Sequence, residues 1–307
     1  MLPPDGATYP QTLRGPGYLW WRSAVGVVMG LALFYLLTGV VSQVVVAIGY
    51  AFGGHSTTWA AYYRSAYAFE KPVGMLGTNL GLATMIPITW AVLAVLHRVR
   101  PRWLASVQPG IRWRYLLICL GVALVSLLGV QLLSQVVSGF LPIRPQAGFW
   151  GFLVVIVLTS PIQAAAEEIF FRGYLMQALG SLGRGPWVGI IGSSVVFALL
   201  HGTQNLPLFV DRLAFGLLAA VLVWRTGGLE AGIAAHVVNN VLAFLLAGLT
   251  TSIASLRAIQ SIGWSDAAFD VGSFALFAVL AYVTFRLLRL RHTVDLGTGL
   301  GAGQSLQ

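Results

Sequence analysis

Apolar residues form long, nearly uninterrupted stretches along this chain, and short polar segments separate them. Each stretch comes near the roughly 20 residues that an α-helix needs to cross a bilayer, although the fifth is short and the fourth is long. The stretches are 23–51, 73–97, 114–140, 149–180, 186–202, 207–225, 229–248 and 268–290. This pattern predicts an all-α, polytopic membrane protein with about eight transmembrane helices.

The composition leads to the same class. Of the 307 residues, 57% are hydrophobic and only 9% are charged, whereas a soluble domain carries about 25% charged residues. Such a chain needs lipid as its main solvent, which excludes an ordinary soluble enzyme. The single cysteine, Cys119, allows no intrachain disulfide and no cysteine-based zinc site.

Basic residues fix the predicted orientation. If successive predicted spans cross the membrane in opposite directions, twelve basic residues lie in segments on one side and four lie in segments on the other. By the positive-inside rule the richer side is cytoplasmic, so both termini are predicted to lie inside. The net charge of +9 is explained by these clusters, and no nucleic-acid partner is expected. We expect an integral protein of a bacterial plasma membrane, because abundant Arg, Gly, Ala and Pro are typical of a GC-rich genome.

The polar breaks divide the chain into five predicted regions. The first apolar stretch is far longer than the core of a cleavable signal, so it is expected to be a retained span. The regions are a cytoplasmic N-terminal segment (1–22), scaffold helices (23–148), a helical core (149–250) that the family resemblance given below implies to be catalytic, a last transmembrane helix with its flanks (251–294) and a disordered Gly-rich tail (295–307).

Ionisable and amide side chains are concentrated in the second half of the chain. An ionisable group in a bilayer costs about 2.5–3.5 kcal/mol on insertion scales, so each is a functional hypothesis. The set comprises Glu167, Glu168, Arg172, His201, Asp211, Arg212, Glu230, His236, Asn239 and Asn240. The spacing assigns no role to Asp211, Arg212 or Glu230.

Two adjacent glutamates open this set. Glu168 and Arg172 are four residues apart with the acid first, the favourable order for a helical ion pair, and we predict a structural pair. Glu167 points about 100° away around the helix and has no cation at that spacing, which suits a general base. The simpler alternative is an ion pair beside a stray carboxylate.

Two further clusters lie on later helices. Phe197 and His201 share one helix face, as do His236 and Asn240; packing and interhelical hydrogen bonds are the simpler alternatives. Counted from the predicted inside loops, Glu167, His201 and His236 lie at similar depths of about 13–22 Å. We therefore predict one cavity below the membrane surface, open to the cytoplasm.

A carboxylate, two imidazoles and an amide suit the activation of water. Glu167 would take the proton, and His201 and His236 could ligate a divalent metal, zinc by preference, with Glu167 or Glu168 as third ligand. Without a metal, a histidine and Asn240 could stabilise the oxyanion. Both alternatives stay open. Neither G-x-S-x-G nor H-E-x-x-H occurs.

The three motifs together resemble a known family. E-E-x-x-x-R at 167–172, F-x-x-x-H at 197–201 and H-x-x-x-N at 236–240 look like those of the CAAX protease and bacteriocin-processing (CPBP, or Abi) family of intramembrane metalloproteases. The resemblance covers about residues 150–250 and implies an eight-helix core. It also implies endopeptidase activity of the CAAX-protease type, whose eukaryotic branch removes the last three residues of prenylated proteins.

By this resemblance Glu167 is the catalytic carboxylate, Glu168 supports it, and His201, His236 and Asn240 bind metal or stabilise the oxyanion. The expected partners are a peptide or protein substrate and the lipid bilayer. Two other functions compete: a non-catalytic scaffold or bacteriocin-immunity protein, and an ion- or proton-coupled transporter. Transport is disfavoured because the two halves of the chain show no repeat.

Overall fold

A computed structural model describes residues 1–53 and 57–297. Within those residues the chain forms helices and turns and no named strand. The main helices are α1 (Trp20–Phe52), α2 (Trp59–Tyr67), α3 (Pro72–His97), α4 (Trp113–Ser138), α5 (Phe149–Leu182), α6 (Trp187–Leu199), α7 (Leu206–Thr226), α8 (Glu230–Thr250) and α9 (Trp264–Leu287). Short helical turns lie at Tyr9–Gln11, Arg102–Ala105 and Ile253–Arg257.

The all-α, polytopic class is confirmed. Seven of the described helices are long and apolar enough to cross a bilayer. The fifth predicted stretch is also helical, but α6 has only 13 residues, fewer than the roughly 20 that a full crossing needs. The predicted number of eight spans therefore depends on α6. Helix α5, by contrast, has 34 residues.

Both terminal segments meet at one end of the bundle, which we call the terminal end. The amide of Gly6 donates to Val294 O at 2.9 Å, and the Arg14 side chain donates to Ser181 O at 2.9 Å. The Tyr9 hydroxyl donates to the carbonyl of Leu104. These contacts bring the chain termini together with the segments that follow α3 and α5, all of which the charge pattern assigns to the inside.

The remaining connections meet at the opposite end, which we call the loop end. The amide of Arg144 donates to Leu249 O at 2.7 Å, and the amide of Asn205 donates to Gln260 O at 2.8 Å. The two sets of loops thus alternate between the two ends of the bundle, as the topology with both termini inside requires. The side of the membrane that each end faces stays a prediction.

Helices α5 and α8 pack against each other near the centre of the bundle. Helix α8 also packs on α4 and α7, whereas α6 fits between α5 and α7. Glycine permits the closest of these approaches: a Cβ at Gly189 of α6 would lie 2.4 Å from Met176 O of α5. Small residues at helix contacts are the usual means of close packing in membranes.

Helix α5 changes its winding where its charged residues lie. Residues Ile169–Leu175 form a π-helical segment that begins directly after Glu168. Such segments are rare within α-helices and occur often at functional sites. In this protein the segment carries Arg172, and its residues from Phe170 to Leu175 are all buried.

The N-terminal segment is folded, since Tyr9 and Leu13 are buried at the terminal end. Of the predicted disordered tail, residues from 298 onward lie outside the described part, and the amide of Leu296 donates to Asp5 Oδ1 at 2.9 Å. The other predicted region boundaries stay predictions.

Candidate active site

One carboxylate oxygen joins α5 to α8. Oε1 of Glu168 accepts from Arg172 Nη1 at 2.9 Å and lies 2.9 Å from Nδ1 of His236. Glu168 and Arg172 have no exposed surface, and His236 is 4% exposed. The ion pair predicted from the i,i+4 spacing is therefore present, and it has a third member that the spacing did not indicate. A buried carboxylate requires such partners, because an unpaired buried charge is costly.

Arg172 is closed off from any substrate. Its guanidinium lies 4.0 Å from the centroid of the Phe197 ring and 5.2 Å from that of Phe215, in the arrangement of a cation–π contact. Within the described part of the chain, its Nε and Nη2 atoms have no hydrogen-bond partner. This enclosure indicates that Arg172 balances the charge of Glu168 and does not contact reacting groups.

Glu167 faces the other side of the same imidazole. Its Oε2 atom lies 3.4 Å from Nε2 of His236, and the Glu167 residue is 9% exposed. When Nδ1 of a neutral histidine donates, its Nε2 carries no proton and can only accept. With that tautomer, the two acceptor atoms lie only 3.4 Å apart, and a molecule with two donor hydrogens that lies beside them could donate to both.

Gln163 connects Glu167 to Asn240, and the sequence reasoning missed it. Its Nε2 donates to Glu167 Oε1 at 2.7 Å, and its Oε1 accepts from Asn240 Nδ2 at 3.0 Å. Asn240 also accepts from Asn239 Nδ2 at 3.3 Å. A usable signal existed in the sequence, because Gln163 is an amide four residues before Glu167, on the same helix face, in an otherwise apolar stretch.

His201 lies at the edge of this group. It follows the end of α6, its Nδ1 lies 2.7 Å from Phe197 O, and the residue is exposed. The centroid of the Phe197 ring lies 4.5 Å from that of His201 and 6.0 Å from that of His236. The two histidines therefore flank one phenylalanine, and they do not contact each other through a shared hydrogen bond in the described structure.

The predicted metal ligands do not converge fully. Among residues 1–53 and 57–297, no group of three or more His, Cys, Asp or Glu side chains is placed to hold a metal ion. Glu167 and His236 face each other, but Glu168 is bound to Arg172 and His201 lies beyond Phe197. This arrangement does not fit a three-ligand zinc site. Metal binding stays a prediction, and no step proposed below depends on it.

The residues without an assigned role fall into two places. Glu230 belongs to the terminal end, where its carboxylate binds Arg112 through contacts of 2.9 and 2.6 Å, so it joins the start of α8 to the start of α4. Asp211 and Arg212 lie nearer the site. The charge of Arg212 lies within electrostatic range of Glu167 and of Asp270 on α9. Asp270 was not among the predicted site residues.

Comparisons with known proteins agree with the motifs. Residues 148–242 match the family model described as Type II CAAX prenyl endopeptidase Rce1-like. An uncharacterised protein of Bacillus subtilis (strain 168), YyaK, is 26% identical over 164 residues, which are 50% of this chain and 55% of the relative. The chain thus spans about half the length of this curated relative. No solved structure matches.

The matched segment contains all three motifs and every predicted site residue. The resemblance to the CAAX proteases is therefore confirmed for this part of the chain. The family whose model matches is one of CAAX-type endopeptidases, and the seven long apolar helices suit a lipid bilayer.

Proposed function

We propose that this protein hydrolyses a peptide bond inside the membrane with a water molecule that Glu167 activates. The observation that carries the proposal is the imidazole of His236, which lies between Glu168 on one side and Glu167 on the other. Packing alone does not require two carboxylates on one buried ring. The position of these residues within the segment matched to a protease family adds to the argument.

The reacting water would lie beside the gap between Glu167 and His236. It would donate one hydrogen to Oε2 of Glu167 and the other to Nε2 of His236, which leaves a lone pair free for attack on the carbonyl carbon. Glu167 takes the proton as the C–O bond forms. It then gives that proton to the amide nitrogen as the C–N bond breaks, the usual double role of a general acid–base group.

Asn240 is the proposed donor to the oxyanion. One hydrogen of its Nδ2 is used by Gln163 Oε1, and the second is free to donate to the oxygen that becomes negative. A single donor of this kind contributes about 2.7–4 kcal/mol in other hydrolases. His201 fits a different task, because Nδ1 donates to Phe197 O and leaves Nε2 as an acceptor for a substrate N–H.

Glu168 and Arg172 act through His236. The shared oxygen of Glu168 selects the tautomer and fixes the plane of the ring, as the aspartate does in the serine-protease triad. The charge of Arg172 keeps Glu168 ionised in a buried position. Both are therefore proposed as positioning residues, and Glu167, His236, Asn240 and His201 as the residues that meet the substrate or the water.

The proposal is tested by Glu167→Gln with Glu70→Gln as the matched control, since Glu70 is exposed and lies outside the site. The purified proteins are reconstituted into liposomes with a library of peptides, and new peptide termini are identified by mass spectrometry. Wild type and Glu70→Gln should generate the same termini. Glu167→Gln should reduce the rate about 10²–10⁴-fold, the usual contribution of a general base, with unchanged thermal unfolding.

The same experiment separates the competing functions. If Glu167→Gln yields the same termini at the same rate, Glu167 is not the base. If neither the wild type nor Glu70→Gln generates new termini, a scaffold or immunity role is favoured. A transporter would instead lose proton-coupled uptake on this substitution without any cleavage by the wild-type protein.

A further inference from the structure

A cavity of about 660 Å³ lies at the terminal end, between the segment that precedes α4 and the segment that follows α9. Ligand sites in proteins commonly have volumes of about 300–1,000 Å³, so the cavity is large enough for a small-molecule group. Its wall contains three arginines and one carboxylate, a balance that attracts anions. The wall consists of Arg102, residues 107–112, Leu290, Arg291, Thr293 and Asp295.

Arg112 forms a fixed part of this wall. Its Nε and Nη2 atoms donate to the two oxygens of Glu230 at 2.9 and 2.6 Å. Its Nη1 atom donates to Thr226 O at 2.8 Å and to Arg291 O at 3.3 Å. A guanidinium has five N–H donors, so these bonds use four and leave one on Nη2. Because its side chain is only 9% exposed, Arg112 is held in place before any ligand binds.

Arg102 supplies the positive charge that the wall leaves unbalanced. Arg112 is paired with Glu230. Arg291 is paired with Asp295. The exposed side chain of Arg102 lines the cavity without an ion pair or hydrogen bond to any residue of 1–53 or 57–297. A ligand with one negative charge would restore the balance, and a phosphate group is the best match because its oxygens fit the planar fork of guanidinium donors.

The cavity adjoins the lipid-facing surface of two helices. Arg112 directly precedes α4, whose first residue, Trp113, is exposed. Leu290 follows α9, whose last residue, Leu287, is also exposed. These two helices pack against each other. Since tryptophan and arginine at the end of an apolar helix mark the level of the lipid headgroups, the headgroup of a lipid that lies against α4 and α9 would reach the cavity.

We propose that this cavity binds the headgroup of an acidic phospholipid, with its phosphate against Arg102 and Arg112 and its acyl chains along α4 and α9. Basic pockets between transmembrane helices bind acidic headgroups in this way. Arg112 also holds Glu230, the first residue of α8, and the same helix carries His236. A bound lipid would therefore stabilise the start of a helix that forms the candidate site. Lipid binding does not depend on the proposed function.

Native mass spectrometry of the detergent-solubilised protein tests this site. Wild type, Arg102→Gln and Arg184→Gln are titrated with phosphatidylglycerol or with phosphatidylcholine of identical acyl chains. Arg184 is the matched control, because it is exposed at the terminal end and does not line the cavity. Separate titrations with inorganic phosphate distinguish a lipid site from a site for free anions. Thermal unfolding is measured on the same samples.

We expect wild type to retain one phosphatidylglycerol molecule and to bind phosphatidylcholine more weakly. Arg102→Gln should weaken the binding of phosphatidylglycerol about fivefold, the contribution of one basic residue near an acidic lipid surface. Arg102→Lys keeps the charge and should retain most of the binding, and Arg184→Gln should bind as wild type does. Phosphatidylglycerol should raise the unfolding temperature of wild type more than that of Arg102→Gln, because a ligand that binds only the folded state stabilises it.

Two results would overturn the site: equal retention of the two lipids by wild type, or equal effects of the substitutions at 102 and 184. Binding of inorganic phosphate as tight as that of phosphatidylglycerol would overturn the assignment to a lipid. None of these measurements requires hydrolysis, so a failure of the proposed function would appear only in the Glu167→Gln experiment.

Discussion

Nδ1 of His236 lies 2.9 Å from the same Glu168 oxygen that accepts from Arg172. Helix α8 thus presents an imidazole to a carboxylate of α5 whose charge is already balanced within its own helix. The result is a ring held in one orientation with its second nitrogen toward Glu167. The predictions below test how far stability and activity depend on this shared oxygen and on its neighbours.

Arg172→Ala should leave Glu168 as an uncompensated buried charge. Removing one member of a buried pair costs about 3–5 kcal/mol, and both side chains here have 0% exposure. We therefore expect a large fall in the thermal unfolding temperature in detergent. Arg114→Ala is the control, because Arg114 is exposed and surface substitutions usually change stability by about 0.5 kcal/mol or less. Wild-type stability with complete loss of cleavage would show instead that Arg172 has a direct role in the reaction.

Gly232→Ala should disturb the site from the opposite side of Glu168. A Cβ at position 232 would lie 2.8 Å from Glu168 Oε2, and the other oxygen of that carboxylate is held by two partners. The carboxylate must rotate or shift, so cleavage should fall more than the unfolding temperature does. The measurement is the cleavage rate per amount of folded protein, determined in one preparation of Gly232→Ala and compared with that of the wild type.

The control for this substitution is Gly129→Ala in α4, where a Cβ would meet no atom within 4 Å. Alanine is favoured over glycine in a helix by roughly 0.5–1 kcal/mol, so this variant should be at least as stable as wild type and fully active. Equal effects of the two substitutions would argue against a restraint at Gly232.

The helices were largely predictable from the sequence. The stretches predicted at 73–97, 114–140 and 207–225 correspond to Pro72–His97, Trp113–Ser138 and Leu206–Thr226, because apolar runs bounded by polar residues define spans in a bilayer. The predicted start of the last helix at 268 was late. Helix α9 begins at Trp264 and includes Asp266, a charge that interrupts the apolar pattern without interrupting the helix.

Contacts distant in sequence could not be predicted in this way. The i,i+4 spacing indicated the pair of Glu168 and Arg172, but nothing local indicates that His236, 68 residues later, binds the same oxygen. The same holds for Tyr9 and Leu104, since the polar, Pro-containing N-terminal segment resembles a solvated tail. Helix α2 was missed because its aromatic and polar residues form no apolar run.

Gln163→Leu should lower activity without strong destabilisation. The substitution removes a donor to Glu167 and an acceptor for Asn240, while leucine fills a similar volume. Hydrogen bonds to charged groups contribute about 1.5–3 kcal/mol, which corresponds to roughly a 10–150-fold loss of cleavage rate. Gln131→Leu, in the half-buried part of α4, is the control. If both variants cleave at the wild-type rate, Gln163 does not position the reacting groups.

Chelation tests whether the imidazoles are ligands or hydrogen-bonding groups. Because only Glu167 and His236 of the predicted ligands face each other, and His201 lies beyond Phe197, we expect cleavage to survive treatment with 1,10-phenanthroline. The metal content of the active protein, measured by mass spectrometry, should be well below one ion per chain. Loss of activity that zinc restores would contradict this expectation. In that case His201 would have to move toward Glu167 and His236 when the ion binds, and His201→Ala should then abolish both zinc binding and cleavage.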